Sequence, residues 1–507
     1  MLISAKDIFS SVQRSAFSVQ RLEIELPLSK SESNRALMIM HYARTLEFLN
    51  SKTLENSRVL NFKSSRILEL SNSDDTVLLQ KHLNTINQYL QGPLTLELDC
   101  HNAGTVFRFL MTAVAVAVSE TQSRRDTKFK VNGLSQSQES ESKSESKSES
   151  TVCVLLTGSE RMKNRPIDSL VDALRNLGVV IEYKGREGYP PILVRGGRIE
   201  GGRVEVSAEQ SSQFASSLLL AAPLWKNGLE LHLTGNLSSL PYIDMTIAMM
   251  RQCGIDVIRN ERDIKVKPGQ YNVENVKVEP DWSAAAFWYE MASFSDNAEI
   301  LLKNLNINSL QADAAAMKMF ESLGVETIAV EGGVVVGKTT RFVDVETQRR
   351  RDAETQRRRD AEFRVQSSEF RVQGSAFNFK DCPDLFPAVI AACAGNKLNA
   401  TFTGLKNLSI KESDRKRAMM NELSKIGITF EDVSADELKM FCPEKLPYFS
   451  EENPIIFNNY EDHRIAMSLS LLSMKIGTIS MENTDVVSKS YPGFFEYLRV
   501  LCLCEKK

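Results

Sequence analysis

Four stretches of the chain carry apolar residues at helical spacing, end in glycine and run directly into a β-branched segment: LVDALRNLGVVIEY, MTIAMMRQCGIDVI, AAMKMFESLGVETI and RAMMNELSKIGITF. The glycines are Gly178, Gly254, Gly324 and Gly427. Each stands where a helix needs a residue that tolerates positive φ before a strand begins. Their spacings are 76, 70 and 103 residues, and the last becomes 70 once the 33 residues of Arg341–Gln373 are set aside. A unit of about 70 residues therefore recurs, and the pattern predicts repeated βαβ-type modules.

Two tracts break this rhythm. Between Ser119 and Ser150 the chain passes through SQSQESESKSESKSES, which has almost nothing apolar to bury and is expected to be a disordered surface insertion. From Arg341 to Gln373 the octapeptide ETQRRRDA occurs twice in succession, at Glu346–Ala353 and Glu354–Ala361, and EFRVQ follows twice. This tandem expansion is read as a solvated charge run, not as a nucleic-acid grip. Arg44–Ile67, with little recognisable pattern, is a further candidate insertion.

Composition narrows the function classes. The 507 residues are 42% hydrophobic and 25% charged, the make-up of a globular chain of several domains. Lys+Arg 62 against Asp+Glu 65 leaves a formal charge of −3, so no global basic field would gather nucleic acid or an anionic membrane surface. Any anion recognition has to be local. The eight cysteines include no C-x-x-C pair and the five histidines no H-E-x-x-H, which predicts buried reduced thiols and no common zinc site. The start, MLISAKDIFSSVQRS, lacks a secretory apolar core, and the run Phe109 to Val118 is short of the ~18 residues that span a bilayer. A cytoplasmic protein is expected.

Chemistry concentrates where apolar-periodic helices begin. Lys30, Ser31 and Arg35 open one helix; Asn102, Gly104 and Thr105 open another, with Arg108 one turn in. Ser211, Ser212 and Gln213 begin a third, Lys411, Glu412, Ser413 and Arg415 a fourth, and Asp462, His463 and Arg464 a fifth. Hydroxyls and Asn or Asp there are ordinary caps. Cations are not, because Lys and Arg in a first turn oppose the helix dipole. Their repetition suggests that an anion is brought in to balance them, at helix ends whose N–H groups already suit phosphate or carboxylate. Arg161 and Lys489 extend the set.

One pattern is a decoy. Gly332 to Thr339 matches G-x-x-x-x-G-K-T letter for letter, but VETIAVEGG and VVVGK look like two strands meeting at Gly332-Gly333, with no apolar helix after Thr339. A β-hairpin is expected there.

In order along the chain, LPLSKSESNRAL, NAGTVFRF, LTGSERMKNRPI, SSQF, SSLPYIDMT, PDLFP, KESDRKRAM, EDHRIAM and SKSYPGF resemble the signatures of the 5-enolpyruvylshikimate-3-phosphate synthases, or 3-phosphoshikimate 1-carboxyvinyltransferases. They run from Leu26 to Phe494, nearly the whole chain outside the insertions. The resemblance implies transfer of the enolpyruvyl group of phosphoenolpyruvate to the 5-hydroxyl of shikimate 3-phosphate, in aromatic amino acid biosynthesis, with no metal or organic cofactor. The fold it implies is α/β, with two similar domains of three βαβαββ repeats each, an inside-out α/β barrel with the active site in the interdomain cleft. One lobe would comprise residues 1–27 and 281–507, the other 28–280. The partners implied are small anionic substrates, with no nucleic acid or membrane, and a monomer is expected.

Residue by residue, the resemblance assigns Lys30, Ser31, Arg35, Ser211, Ser212, Gln213, Ser239, Asp384, Asn407 and Lys411 to shikimate 3-phosphate. It assigns Lys30, Gly104, Arg161, Gln213, Arg415, Arg464 and Lys489 to phosphoenolpyruvate. An alcohol is a poor nucleophile, so a carboxylate must accept its proton while an acid protonates the far carbon of the enol. Asp384 matches the family's base, and Glu412 and Lys30 are both candidates for the second proton. In the first loop Leu28 replaces a glycine usual in the family. The sister transferase acting on UDP-N-acetylglucosamine typically carries Lys-Asn where this chain has Lys30-Ser31, and a reactive Cys where this chain reads Gly158-Ser-Glu-Arg161. That sister activity and an inactive binding homologue are the alternatives.

Overall fold

A computed structural model describes residues 2–3, 22–50, 68–89, 95–133, 153–237, 239–295, 298–338 and 375–503. The chain condenses into two units, one of Met1–Leu28 with Glu279–Lys507 and one of Ser29–Val278.

Strands β1 (Leu2–Ile3) and β2 (Leu22–Glu25) lie before the excursion into the Ser29–Val278 unit. Within that unit, β3 (Thr95–Asp99), β4 (Cys153–Thr157), β5 (Val179–Tyr183) and β6 (Ile192–Gly197) form a sheet of order β3-β4-β6-β5. A second sheet holds β7 (Gly202–Ser207), β8 (Leu229–Thr234), β9 (Val257–Asn260) and β10 (Asp263–Val266), in the order β7-β8-β10-β9. In both, the first two strands are parallel and the rest antiparallel. A parallel pair needs a crossover, and helices Gly104–Gly133 and Ser212–Ala221 supply it. The result is a βαβαββ unit, made twice.

The other unit repeats the plan. Strands β11 (Glu299–Lys303), β12 (Val325–Val330) and β13 (Gly333–Lys338) join β2 in the order β12-β13-β11-β2. Here β2 pairs in parallel with β11, Leu22 opposite Ile300, although the whole Ser29–Val278 unit separates them in sequence. The outgoing and returning chain are stitched by Asp281 N–H donating to Pro27 O at 2.9 Å. Strands β14 (Ser375–Asn378), β15 (Ala400–Thr403), β16 (Thr429–Ser434) and β17 (Glu437–Phe441) make another four-stranded sheet, and β18 (Ile455–Phe457) and β19 (Ile479–Met481) a smaller one with β1.

Helices lie inside and sheets outside in each unit. Every residue of helix Phe386–Gly395 is buried, as is all of Ser212–Ala221 except Gln213, whereas strands alternate, Leu229, Leu231 and Leu233 inward and Glu230 outward in β8. A helix apolar all round has to be central, and an alternating strand has one solvated face. Trp282, Trp288 and Met419 fill one core, and Phe107, Phe109 and Phe214 the other. The four repeat glycines all have positive φ, from +79° to +98°, at the ends of helices Asp168–Asn176, Leu240–Gln252, Ala316–Glu321 and Arg415–Ser424.

Three expectations change. The tract Ser119–Ser150 is not disordered from its start, because helix Gly104–Gly133 continues through it to Gly133; the rest lies outside the described residues, as does Arg341–Gln373. Arg44–Asn50, the patternless start of the candidate insertion, continue helix Lys30–Asn50, and 51–67 are outside the described residues. The apolar run is also longer than Phe109–Val118. Gly104–Gln122 is long and apolar enough to cross a bilayer, yet it is mostly buried inside its own unit, as a core helix is. The Gly332–Thr339 pattern is a hairpin over its described residues, with β12 and β13 antiparallel from Val325↔Lys338 to Val330↔Gly333. Cys100, Cys153, Cys253, Cys382 and Cys393 are buried free thiols, and Cys442 is a half-buried one.

Candidate active site

In the unit containing Glu279–Lys507, three helix starts meet around one carboxylate. Asp384 sits on the 3-10 turn Pro383–Leu385 that leads into helix Phe386–Gly395. Its Oδ1 accepts from Arg415 Nη1 at 2.7 Å and lies 3.4 Å from Lys411 Nζ, while Oδ2 accepts from Arg464 Nη2 at 3.1 Å. Arg415 and Arg464 come from the first turns of helices Arg415–Ser424 and His463–Leu471. Burial alone would push the Asp384 carboxyl up, but Arg464, Lys411 and Arg415 outweigh it and hold the group well below the usual carboxylate range.

The arrangement extends on both sides. Glu412 accepts from Arg415 Nη2 at 2.8 Å and lies 3.6 Å from Lys489 Nζ, the last residue of the turn Thr484–Lys489. Arg415, only 1% exposed, also donates through Nε to Asp462 at 2.8 Å. Burial works against its charge, yet Asp462, Glu412 and Asp384 raise its pKa overall. Lys411 goes the other way, lowered by burial despite Asp384. Asn407 is half-buried on the preceding turn Lys406–Ile410.

In the Ser29–Val278 unit the predicted residues form a second cluster. Lys30 is the first residue of its helix, and its ammonium lies 3.3 Å from Asp75, with side chains 12% and 6% exposed. Arg35 is buried and donates to Thr246 Oγ1 (2.7 Å), the Ser31 carbonyl (2.8 Å), the Tyr242 carbonyl (3.0 Å) and Ser216 Oγ (3.4 Å). Burial pushes its pKa down to about 10. It thereby ties its own helix to helices Ser212–Ala221 and Leu240–Gln252. Ser211 caps the former through the Gln213 N–H, Ser212 is its buried first residue, and Ser239 precedes the latter at φ 54°.

Gln213 links that start to the next helix, donating to Thr105 Oγ1 at 2.7 Å and accepting from Arg108 Nη1 at 2.8 Å. Gly104 opens helix Gly104–Gly133, and a Cβ placed on it would stand 2.5 Å from Arg165 Nη1 and 2.6 Å from Arg108 Nη1. Two guanidinium ends therefore crowd this backbone, and a side chain here would have to displace them. Arg161 is exposed on the short helix Glu160–Lys163, while Arg165, four residues on, is the buried one.

The first-turn cations are balanced by the protein's own carboxylates, which sequence reasoning did not anticipate. Asp75 faces Lys30, and Asp462, Glu412 and Asp384 face Arg415. Asp75 and Asp313, a buried carboxylate whose charge acts on both Asp384 and Arg464, were missed, as was Arg165. The one local signal for Asp75 is the doubled Asp74-Asp75 at a helix start, which any capped helix can carry.

The family model for EPSP synthase (3-phosphoshikimate 1-carboxyvinyltransferase) matches residues 144–498. A 3-phosphoshikimate 1-carboxyvinyltransferase of Bacteroides fragilis is 32% identical over 486 residues, 96% of either chain. One from Xenorhabdus nematophila is 29% identical over 488 residues, 94% of this chain and 95% of its own. Among solved structures, an EPSP synthase from Acinetobacter baumannii superposes with a TM-score of 0.59 at 20% identity, covering 95% of both chains, which shows a shared fold. Nine ordered motifs, a repeated βαβαββ architecture and relatives matched almost end to end converge on one conclusion: the chain belongs to the EPSP synthase (3-phosphoshikimate 1-carboxyvinyltransferase) family.

Proposed function

We propose that this chain transfers the enolpyruvyl group of phosphoenolpyruvate to the 5-hydroxyl of shikimate 3-phosphate, releasing phosphate. The observation that carries this reading, beside family membership, is a carboxylate, Asp384, gripped by Arg415 and Arg464 and faced by Lys411. In this reading Asp384 takes the proton from the attacking hydroxyl as its oxygen bonds to C2 of the enol. Glu412 or Lys30 delivers a proton to C3. The tetrahedral adduct then loses phosphate as the C3 proton returns to the protein and the double bond re-forms.

The charges suggest how the base becomes active. A carboxylate whose pKa lies well below the ordinary range is a weak base. Phosphate and carboxylate groups arriving on Arg415, Arg464 and Lys411 would share those cations and raise the basicity of Asp384 as both substrates bind. Shikimate 3-phosphate is assigned to Lys30, Ser31, Arg35, Ser211, Ser212, Gln213, Ser239, Asp384, Asn407 and Lys411. Phosphoenolpyruvate is assigned to Lys30, Gly104, Arg161, Gln213, Arg415, Arg464 and Lys489. The crowding of Arg165 and Arg108 at Gly104 supports a binding role for that helix start. We further take the protein to act as a cytoplasmic monomer on these small anions, without nucleic acid or membrane; light scattering after gel filtration tests the monomer.

The deciding experiment is phosphate release from the purified chain given both substrates, with each omitted in turn. Release that requires both supports the reading. Release with UDP-N-acetylglucosamine in place of shikimate 3-phosphate overturns it in favour of the sister activity, and tight substrate binding without turnover would mark an inactive homologue.

A further inference from the structure

A second buried carboxylate, Asp313, acts electrostatically on both Asp384 and Arg464. Asp313 lies on the turn Ala312–Ala315, 3% exposed, and its Oδ2 accepts a hydrogen bond from the Ser283 hydroxyl at the start of helix Trp282–Phe294. Its Oδ1 is buried and makes no hydrogen bond among the described residues, and the same holds for the buried Nε of Arg464. Arg464 feels the charges of both Asp384 and Asp313, yet its hydrogen bond goes to Asp384, through Nη2. Arg464 and Asp313 make no ion pair within 4.0 Å, so each keeps a buried polar atom whose lack of a partner costs free energy. That is the pattern expected of a guanidinium with a second arrangement in reserve.

The reaction supplies a moment at which it is needed. When Asp384 accepts the proton of the substrate hydroxyl it becomes neutral, and Arg464 loses the anion that anchors it. We propose that Asp313 is a positioning residue for the transfer, the alternative counter-anion that holds Arg464 in place while Asp384 carries the proton. The proposal rests on the reading of Asp384 as the base. The hydroxyl proton goes to Asp384 and the C3 proton comes from Glu412 or Lys30, so Asp313 exchanges no proton and keeps its charge throughout.

Protonation of Asp313 itself should switch this support off. Burial, with the charge of Asp384 added, pushes its carboxyl up to about 6, opposed by Arg464 and the Ser283 hydrogen bond. The groups facing it are Asp384 and Cys382 from the turn at Pro383–Leu385, Arg464 from helix His463–Leu471, and Asp281 and Ser283 from the start of helix Trp282–Phe294. Below about pH 6 Asp313 is neutral and cannot replace Asp384 as a counter-anion.

The test is Asp313→Asn in the full chain, with kcat for phosphate release measured from pH 5 to 9 and folding followed by circular dichroism. The expected result is a folded protein whose kcat at neutral pH is down about tenfold and whose acid limb near pH 6 is gone. A folded variant with unchanged kcat and an unchanged limb overturns the proposal, as does a loss of thermal stability with normal kcat per folded molecule. If that variant does not fold, Ser283→Ala leaves the charge and removes its hydrogen bond; the acid limb should then move to higher pH, and an unmoved limb refutes the role. Asp384→Asn keeps the two readings apart, because full turnover in that variant defeats the base assignment whatever Asp313 does.

Discussion

Asp384 accepts from two guanidiniums and faces an ammonium, so losing it removes a proton acceptor and leaves three cations short of a partner. With Asp384→Ala, turnover should fall by at least about 100-fold while shikimate 3-phosphate still binds, because the cations that hold an anion remain. Calorimetric binding beside phosphate-release kinetics checks both halves, and turnover near the parent value would remove Asp384 as the base. At Lys30 the question is placement. Asp75→Asn keeps the shape of the side chain but not the charge 3.3 Å from the ammonium, in a pair mostly shielded from water. A loss of about tenfold in kcat/KM is expected, since breaking a shielded pair leaves the remaining charge poorly held. Kinetics matching the parent would show that Lys30 needs no such support. Asp313 pays for its setting in stability. Its carboxyl is held at about 6 against an ordinary 3.8, so the folded state binds an extra proton between those values and the ionised form is disfavoured above them. Asp313→Asn should therefore raise stability at pH 7 to 8 by up to about 3 kcal/mol, a gain that disappears below pH 4. Denaturant melts at the two pH values decide it.

At the scale of elements, the repeat glycines act as helix stops, and two of them differ instructively. Gly178 follows helix Asp168–Asn176 at φ +98°, and a Cβ there would meet the Arg198 carbonyl oxygen at 2.6 Å. Gly254 follows helix Leu240–Gln252 at φ +87° with nothing within 4 Å of the same position. Gly254→Ala should cost about 1 kcal/mol, the price of left-handed backbone alone. Gly178→Ala should cost clearly more, about 2–3 kcal/mol, because backbone as well as conformation must give. Equal losses in urea melts would mean that the strand after Gly178 shifts freely. The first turns of the site helices have a different logic: Asp462 caps its own helix through the Arg464 N–H at 3.0 Å and binds Arg415 of the neighbouring helix, so one side chain fixes two helix starts.

For the molecule as a whole, the tandem tract Arg341–Gln373 falls between β13, which ends at Lys338, and β14, which begins at Ser375 and opens the next repeat. Lengthening a connection costs little, since closure entropy grows only with the logarithm of length. Deleting 341–373 should leave kcat and both KM values within about twofold; a collapse of binding would show that the tract serves the site. The two units are each a set of the same modules, and β2 explains the way they are threaded: it pairs with β11 across the whole inserted unit, so the start and the second half of the chain fold together.

Much of this was legible beforehand where the cause is local. Apolar spacing, a glycine at a helix end and a hydroxyl or acid at a helix start act over a few residues, so the period of about 70 residues, the Gly332–Lys338 hairpin and the cation-bearing helix starts could be read from the chain alone. Helix Gly104–Gly133 outran its reading because Ser, Arg and Glu after Val118 look like linker, although such residues are tolerated on a helix that is already formed. Only the tertiary structure decided which charge answers which. Asp462 reaches Arg415 across 47 residues and Asp384 reaches Arg464 across 80, while Asp313 comes from yet another turn. Partners so distant leave no spacing to read, because their meeting depends on the path of the folded backbone and on burial strong enough to make each unpaired charge costly.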